Sequence, residues 1–134
     1  MYSEEWKKDV DENLFWLMIE LALTDEATFL KRIEAFDRKA LIWFYWHYES
    51  LESELGQEKF LKFTNPSYSE DSRDDLWKEV VGKGKQFYSS VMKNPELLPT
   101  ETDYSHPSHK IKPKVSDVFY KRYNEEIPPN SYDY

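Results

Sequence analysis

The amino-acid sequence predicts an all-α fold, a compact single-domain bundle of four or five helices, and three observations carry that prediction. Apolar residues recur every three or four positions over most of the chain, the spacing that lines them up on one face of a helix. Only 3 of the 134 residues are glycine, too few for the turn-dense pattern of a β sandwich or barrel. Aromatic residues make up 17% of the chain, ring surface that demands a packed core even though 33% of residues are charged. A chain of this length fits one domain spanning residues 1–134.

The first helix is read from Trp6, Val10, Leu14, Leu17, Met18 and Leu21, which form one stripe, with Ser3 as its cap and Glu4 and Glu5 at the positive end of its dipole. Thr24 and Asp25 signal the next start, and Phe29, Leu30, Ile33 and Phe36 continue with helical spacing. Asp37 can cap a further helix that carries Ala40, Leu41, Phe44, His47, Tyr48, Leu51 and Leu55 inward, so residues 25–55 are compatible with one helix or two. Gly56 is a stop, and residues 57–69 read as a connection around Asn65-Pro66-Ser67 with room for one short helical turn. From Ser72 a strong helix runs to residue 93, with Leu76, Val80, Gly84, Phe87 and Val91 in one row and Trp77, Val81, Tyr88 and Met92 beside it. Gly84 in that face implies a close approach of another segment or a kink, and Asn94-Pro95 ends the helix. Residues 99–114 lack periodicity and read as a Pro-containing surface loop. A short last helix follows, capped by Ser116 and stapled by Val115 against Tyr120, before an extended ending from Ile127.

The chain has no cysteine, which removes disulfides, thiolate metal sites and thiol nucleophiles, and makes a reducing, cytoplasmic setting the expectation. The charged N-terminus lacks the apolar segment of a secretory signal, and the longest apolar stretches, residues 14–19 and 40–46, fall far short of the ~20 residues of a membrane helix. Net charge is −8, and the acidic excess lies within the first 58 residues, with 14 acids against 6 Lys and Arg. Nucleic acid is disfavoured as a partner, because phosphate binding draws on Lys and Arg.

Several short motifs resemble a bacterial family of helical domains, the domain-of-unknown-function family 4240. Phe15-Trp16 with Met18-Ile19 is similar to the family's FWxxI opening. Ser69-Glu70-Asp71, Asp75-Leu76, Val80-Val81, Gly84-Lys85, Phe87-Tyr88 and Asn94-Pro95-Glu96-Leu97 resemble its run SDD, DF, LI, GR, an aromatic residue and NPDxL, and Tyr120 to Pro128 is similar to its tail. The resemblance touches most of the chain in short pieces. It departs at Trp77, where the family shows Arg, and at Glu79, where it shows Trp. The resemblance implies a helical fold and a bacterial origin, and some members of the family look like immunity components encoded beside toxins.

Trp43-Phe44-Tyr45-Trp46-His47-Tyr48 places six rings in succession, and at about 100° per residue they cannot all face one core. Neighbouring helices can cover both sides, or Tyr45 and Trp46 can form a partner patch of the kind that dominates interface hot spots. Glu49, Glu52, Glu54 and Glu58 follow on the same helix and, with Asp9, Asp11 and Glu12, offer either an ordinary solvated face or a field that selects a basic protein. Asp71, Asp74 and Asp75 are explained by helix capping, and His47 by a hydrogen-bonded core position. His106 and His109 lie in a loop without a third fixed ligand, so no metal is expected there. Gly82-Lys83-Gly84-Lys85 is no phosphate loop, and Lys110, Lys112 and Lys114 read as part of a solvated loop.

The function expected from these features is non-enzymatic protein binding through Tyr45, Trp46, Glu49, Glu52 and Glu54, with an immunity protein against a cationic toxin as the leading version. No cofactor, metal or membrane partner is expected, and a homodimer through the aromatic run is compatible. The competing expectation is a small-molecule-binding or hydrolytic domain with a pocket between the aromatic helix and the 72–93 helix.

Overall fold

Three helices, those that begin after Asp25, Asp37 and Ser69, start where a short polar side chain satisfies a free backbone N–H. The computed structural model describes the backbone of residues 4–129 and the side chains of residues 11–129. Among the described residues there are seven α-helices and no strand. They are α1 (Glu4–Thr24), α2 (Glu26–Ala35), α3 (Arg38–Leu55), α4 (Glu58–Leu61), α5 (Glu70–Gly82), α6 (Lys85–Lys93) and α7 (Ile111–Tyr123), with 3-10 turns at Pro95–Leu97 and Pro107–Lys110.

The all-α class is as expected, but four or five helices is too few. Residues 25–55 are two helices, because Asp25 accepts from Thr28 N, Phe36 turns extended, and Asp37 accepts from Ala40 N at 2.8 Å. The helix expected over 72–93 is also two. Gly84 adopts φ 109°, a region that side-chain-bearing residues avoid, so the backbone turns there and restarts as α6. A methyl group at Gly84 would meet nothing within 4 Å, so this glycine supplies the break and not a close approach. The close approach lies two residues earlier, where an added Cβ on Gly82 would stand 2.2 Å from Ser108 Cβ and 2.8 Å from Tyr48 Oη. At that point α3, α5 and the Pro107–Lys110 turn meet.

The stretch 99–114 is not a plain surface loop. Ser108, Ile111 and Lys112 are buried, and α7 starts at Ile111, five residues before the cap expected at Ser116. Pro113 does not prevent this, because it lies in the first turn, where a missing N–H breaks no intrahelical bond. Val115 is therefore core, while Tyr120 is exposed and makes no staple. Asn124 ends α7 in the left-handed region, donating its N–H to Tyr120 O at 2.8 Å.

In α1 the buried face is Phe15, Trp16, Met18 and Ile19, and Leu17, expected inward, is 45% exposed. The structure turns the helix so that Phe15 meets Phe44 at 5.0 Å and His47 at 4.6 Å between ring centroids. Ser3, and the side chains of Trp6, Asp9 and Val10, lie outside the described residues. The buried apolar side chains of α1 to α7 form one continuous cluster. Across it α3 packs on α5 and α7, α2 on α1 and α7, and α5 on α6. No helix among the described residues is long and apolar enough to cross a membrane.

Candidate functional site

The packing of α5 and α7 against the second half of α3 leaves an open cleft of about 290 Å³. Glu49, Glu52, Ser53 and Gly56 of α3 line one side, Asp74, Trp77 and Lys78 of α5 the other, and Lys112 of α7 one end. Glu49 and Glu52 are one helical turn apart, so they share the face of α3 that looks toward α7. Tyr48, just before Glu49, ties α3 to α5 by donating its hydroxyl to Lys78 O at 2.6 Å.

Lys112 is 6% exposed, and its ammonium lies between the two carboxylates, hydrogen-bonded to Glu49 Oε1 and, at 3.1 Å, to Glu52 Oε1. The same Nζ stands 5.0 Å from the ring centre of Tyr45 and 5.6 Å from that of Tyr48. Glu52 is only 7% exposed. Burial pushes its carboxyl up to about 7, the neighbouring charge of Glu49 adds to this, and Lys112 opposes it. Burial also works against the charge of Lys112, but Glu52 and Glu49 outweigh it and hold the ammonium above its usual range. Asp74 is raised too, by burial first and then by the acids Glu70, Asp71, Glu49 and Asp75 around it. Acid is therefore in surplus on this side of the molecule.

Of the residues expected to bind a partner, Glu49 and Glu52 are brought together in the cleft, and Glu54 is exposed beyond it, bonded by Gln57 Nε2 at 3.2 Å. Glu52 is buried and paired, which corrects the expectation of an exposed carboxylate. Tyr45 and Trp46 are half-buried, not an open patch. Lys112 caps the Tyr45 ring, and the Trp46 indole donates to Pro128 O at 2.9 Å under the returning C-terminal segment. Neighbouring elements thus cover both sides of the six-ring run. Glu12 does not join an acidic face with Glu49, because it accepts from Trp16 Nε1 at 3.1 Å and lies 2.7 Å from His47 Nε2. Those contacts, led by His47, hold its carboxyl below the ordinary value.

Lys112, Asp74, Trp77, Lys78 and Ser53 were not singled out as site residues by sequence. Asp74 had a signal that capping obscured: Ser69 is the cap of α5, accepting from Ser72 N at 3.2 Å, which leaves Asp74 free to face the cleft. Lys112 carried none, being read as loop.

The histidines serve packing. His106 Nδ1 accepts from Ser108 N at 3.1 Å, so that nitrogen carries no proton, and burial lowers the pKa of the ring. His109 Nε2 lies 3.2 Å from Glu79 Oε1, a fully buried carboxylate oxygen that also accepts from Asp103 N at 2.6 Å and so ties the 99–110 segment to α5. Among the described residues no group of three or more His, Asp and Glu side chains is placed to hold a metal ion.

No protein-family model, curated protein or solved structure matches the chain. The cleft and its charges carry the functional reading.

Proposed function

We propose that this protein is a non-enzymatic protein-binding module that engages a basic partner at the acid-lined cleft between α3 and α5. The observation that carries this reading is the surplus of carboxylates at the cleft. Glu49, Glu52 and Asp74 line it against Lys78 and Lys112, and the Asp74 carboxyl is raised by burial first and then by the acids around it. Like charges gathered at a concave surface cost stability, and an incoming cation relieves that cost while the field speeds its approach. The resemblance of its short motifs to family 4240 favours, within this reading, an immunity protein that neutralises a cationic toxin.

A capture experiment tests it, with the tagged protein and a Glu49→Lys/Asp74→Lys variant presented to host extract and to the product of the neighbouring gene. A basic protein should be retained by the wild type, at least about tenfold less by the variant, and less at high salt. Equal retention by both overturns the reading.

A second reading, a small-molecule-binding or hydrolytic domain, draws on the same cleft, because two carboxylates one turn apart with one raised to about 7 resemble an acid–base pair. Against it, Lys112 binds both carboxylates at once and so counters their separation into acid and base. A metabolite that raises the melting temperature of the wild type and loses this effect in Glu52→Gln would favour the second reading.

A further inference from the structure

The segment from Leu98 to Ser108 is held in place by polar bonds and hardly at all by apolar burial. Leu98 and Ser108 are buried at its two ends, and none of the residues between them is. Asp103 N donates to Glu79 Oε1 at 2.6 Å, Tyr104 Oη to Asp75 Oδ2 at 3.1 Å, and Thr102 N to Tyr68 Oη at 3.0 Å. A stretch with so little buried surface stays closed only while such bonds hold. The last of them caps the Pro107–Lys110 turn, where His106 Nδ1 accepts from Ser108 N at 3.1 Å and stands 2.8 Å from Ser108 Oγ. Ser108 is fully buried, and a Cβ on Gly82 of α5 would lie 2.2 Å from its own, so its N–H has no solvent to turn to.

An imidazole can serve as this cap only while Nδ1 is bare. A proton there takes the acceptor from the buried Ser108 N–H and leaves the new hydrogen to Ser108 Oγ. It also sets a positive charge beside Lys83 of α5 and His109. The carboxylates that face the ring are already engaged: Glu79 of α5 by Asp103 N and His109 Nε2, and Asp103 by Ser105 N and Oγ. Although α1 and α7 also pack on the turn, Glu12 of α1 is turned to His47, and Lys112 and Lys114 of α7 to Glu49, Glu52 and Glu26. Burial first and then Lys83 outweigh the carboxylates and lower the pKa of the His106 ring. His109 differs, because its Nε2 carries a hydrogen toward Glu79 Oε1 in the neutral and the charged ring alike.

We propose that the Pro107–Lys110 turn is an acid-released latch, in which a proton on His106 Nδ1 frees the 99–110 segment from α5 and withdraws the support on which α7 starts. The latch is intact above 6.5, the ordinary histidine value, and gives way as pH falls through the lower value that the ring holds in the fold. Release reaches the cleft, because α7 carries Lys112 to Glu49 and Glu52, yet the latch does not depend on what the cleft binds.

The test follows amide hydrogen exchange and the histidine ring nitrogens of the isotope-labelled full chain by NMR between about pH 7.5 and 5, with exchange corrected for its intrinsic pH dependence. Protection of the Ser108 and Asp103 amides should fall about threefold or more on acidification, at the midpoint of the His106 Nδ1 titration, while amides in the middle of α3 keep theirs. His106→Asn, whose carboxamide oxygen can cap the turn without titrating, should hold the protection in acid. His106→Ala should lack it already at neutral pH. His109→Gln keeps a donor for Glu79 and should respond to acid as the wild type does, as should Glu52→Gln, which removes another group that titrates in this range. Protection at Ser108 that is independent of pH, that falls at a midpoint other than that of His106, or that is lost in step with α3 overturns the proposal. So does an acid response that persists in His106→Asn or disappears in Glu52→Gln. The midpoint comparison decides the matter even where His106→Asn fails to fold.

Discussion

Glu52 is held partly against its own chemistry. The folded chain keeps a proton on it up to about 7, whereas the ordinary carboxyl has released it near 4.5, so the folded state binds more protons than the unfolded one across that window. The stability that Glu52 contributes is therefore greatest below about 4.5 and is lost as pH rises through about 7. Glu52→Gln cannot titrate. It should flatten the urea-midpoint profile between pH 5 and 8, with a gain over the wild type at pH 8 on the order of 2–3 kcal/mol. Parallel profiles for the two proteins would show that Glu52 is not the group titrating. Half of this arrangement was legible in the sequence. Glu49 and Glu52 stand one turn apart on a helix that the apolar spacing revealed, but nothing local in the sequence links Glu52 to Lys112, 60 positions away. A lysine preceding a proline, in a stretch without periodicity, reads as solvated loop until its helix is seen to start one residue before it.

At the level of elements, the helix starts at Asp25 and Asp37 were readable because a cap is a local device: one side chain and a backbone N–H three residues on. The break at Gly84 was not, since apolar spacing runs on through it and a glycine looks alike whether it supplies a backbone angle or room for a neighbour. The two glycines of α5 and its end divide these jobs, and substitution separates them. Gly82→Ala would drive a methyl into Ser108 and Tyr48, and should cost about 1–3 kcal/mol while altering the near-ultraviolet circular dichroism of the surrounding rings. Gly84→Ala meets open space and should cost about 1–3 kcal/mol through backbone strain alone, leaving the aromatic signal as it was. An aromatic signal altered by Gly84→Ala and not by Gly82→Ala would reverse the assignment of these two roles.

At the scale of the molecule, the seven helices of the described residues share one apolar cluster, with no second core to which some of them could belong. Unfolding followed by far-ultraviolet circular dichroism and by tryptophan fluorescence should therefore give coincident transitions, because Trp16, Trp43 and Trp77 report from α1, α3 and α5 while the backbone signal reports from all helices. Separate midpoints would divide the molecule into independently melting parts. The all-α class was legible because it rests on a period repeated over many residues. The number of helices was not, because the apolar spacing that runs on through Gly84 joins α5 and α6 into one.

The bond from the Trp46 indole to Pro128 O spans 82 positions of chain. On the ribosome, the most ring-rich helix thus emerges well before the segment that covers it. At 5–20 residues per second the delay is roughly 4–16 s. For most of that interval Tyr45 and Trp46 lack both Lys112 and the returning chain, and nascent copies on one message have time to adhere to each other or to be shielded by a chaperone.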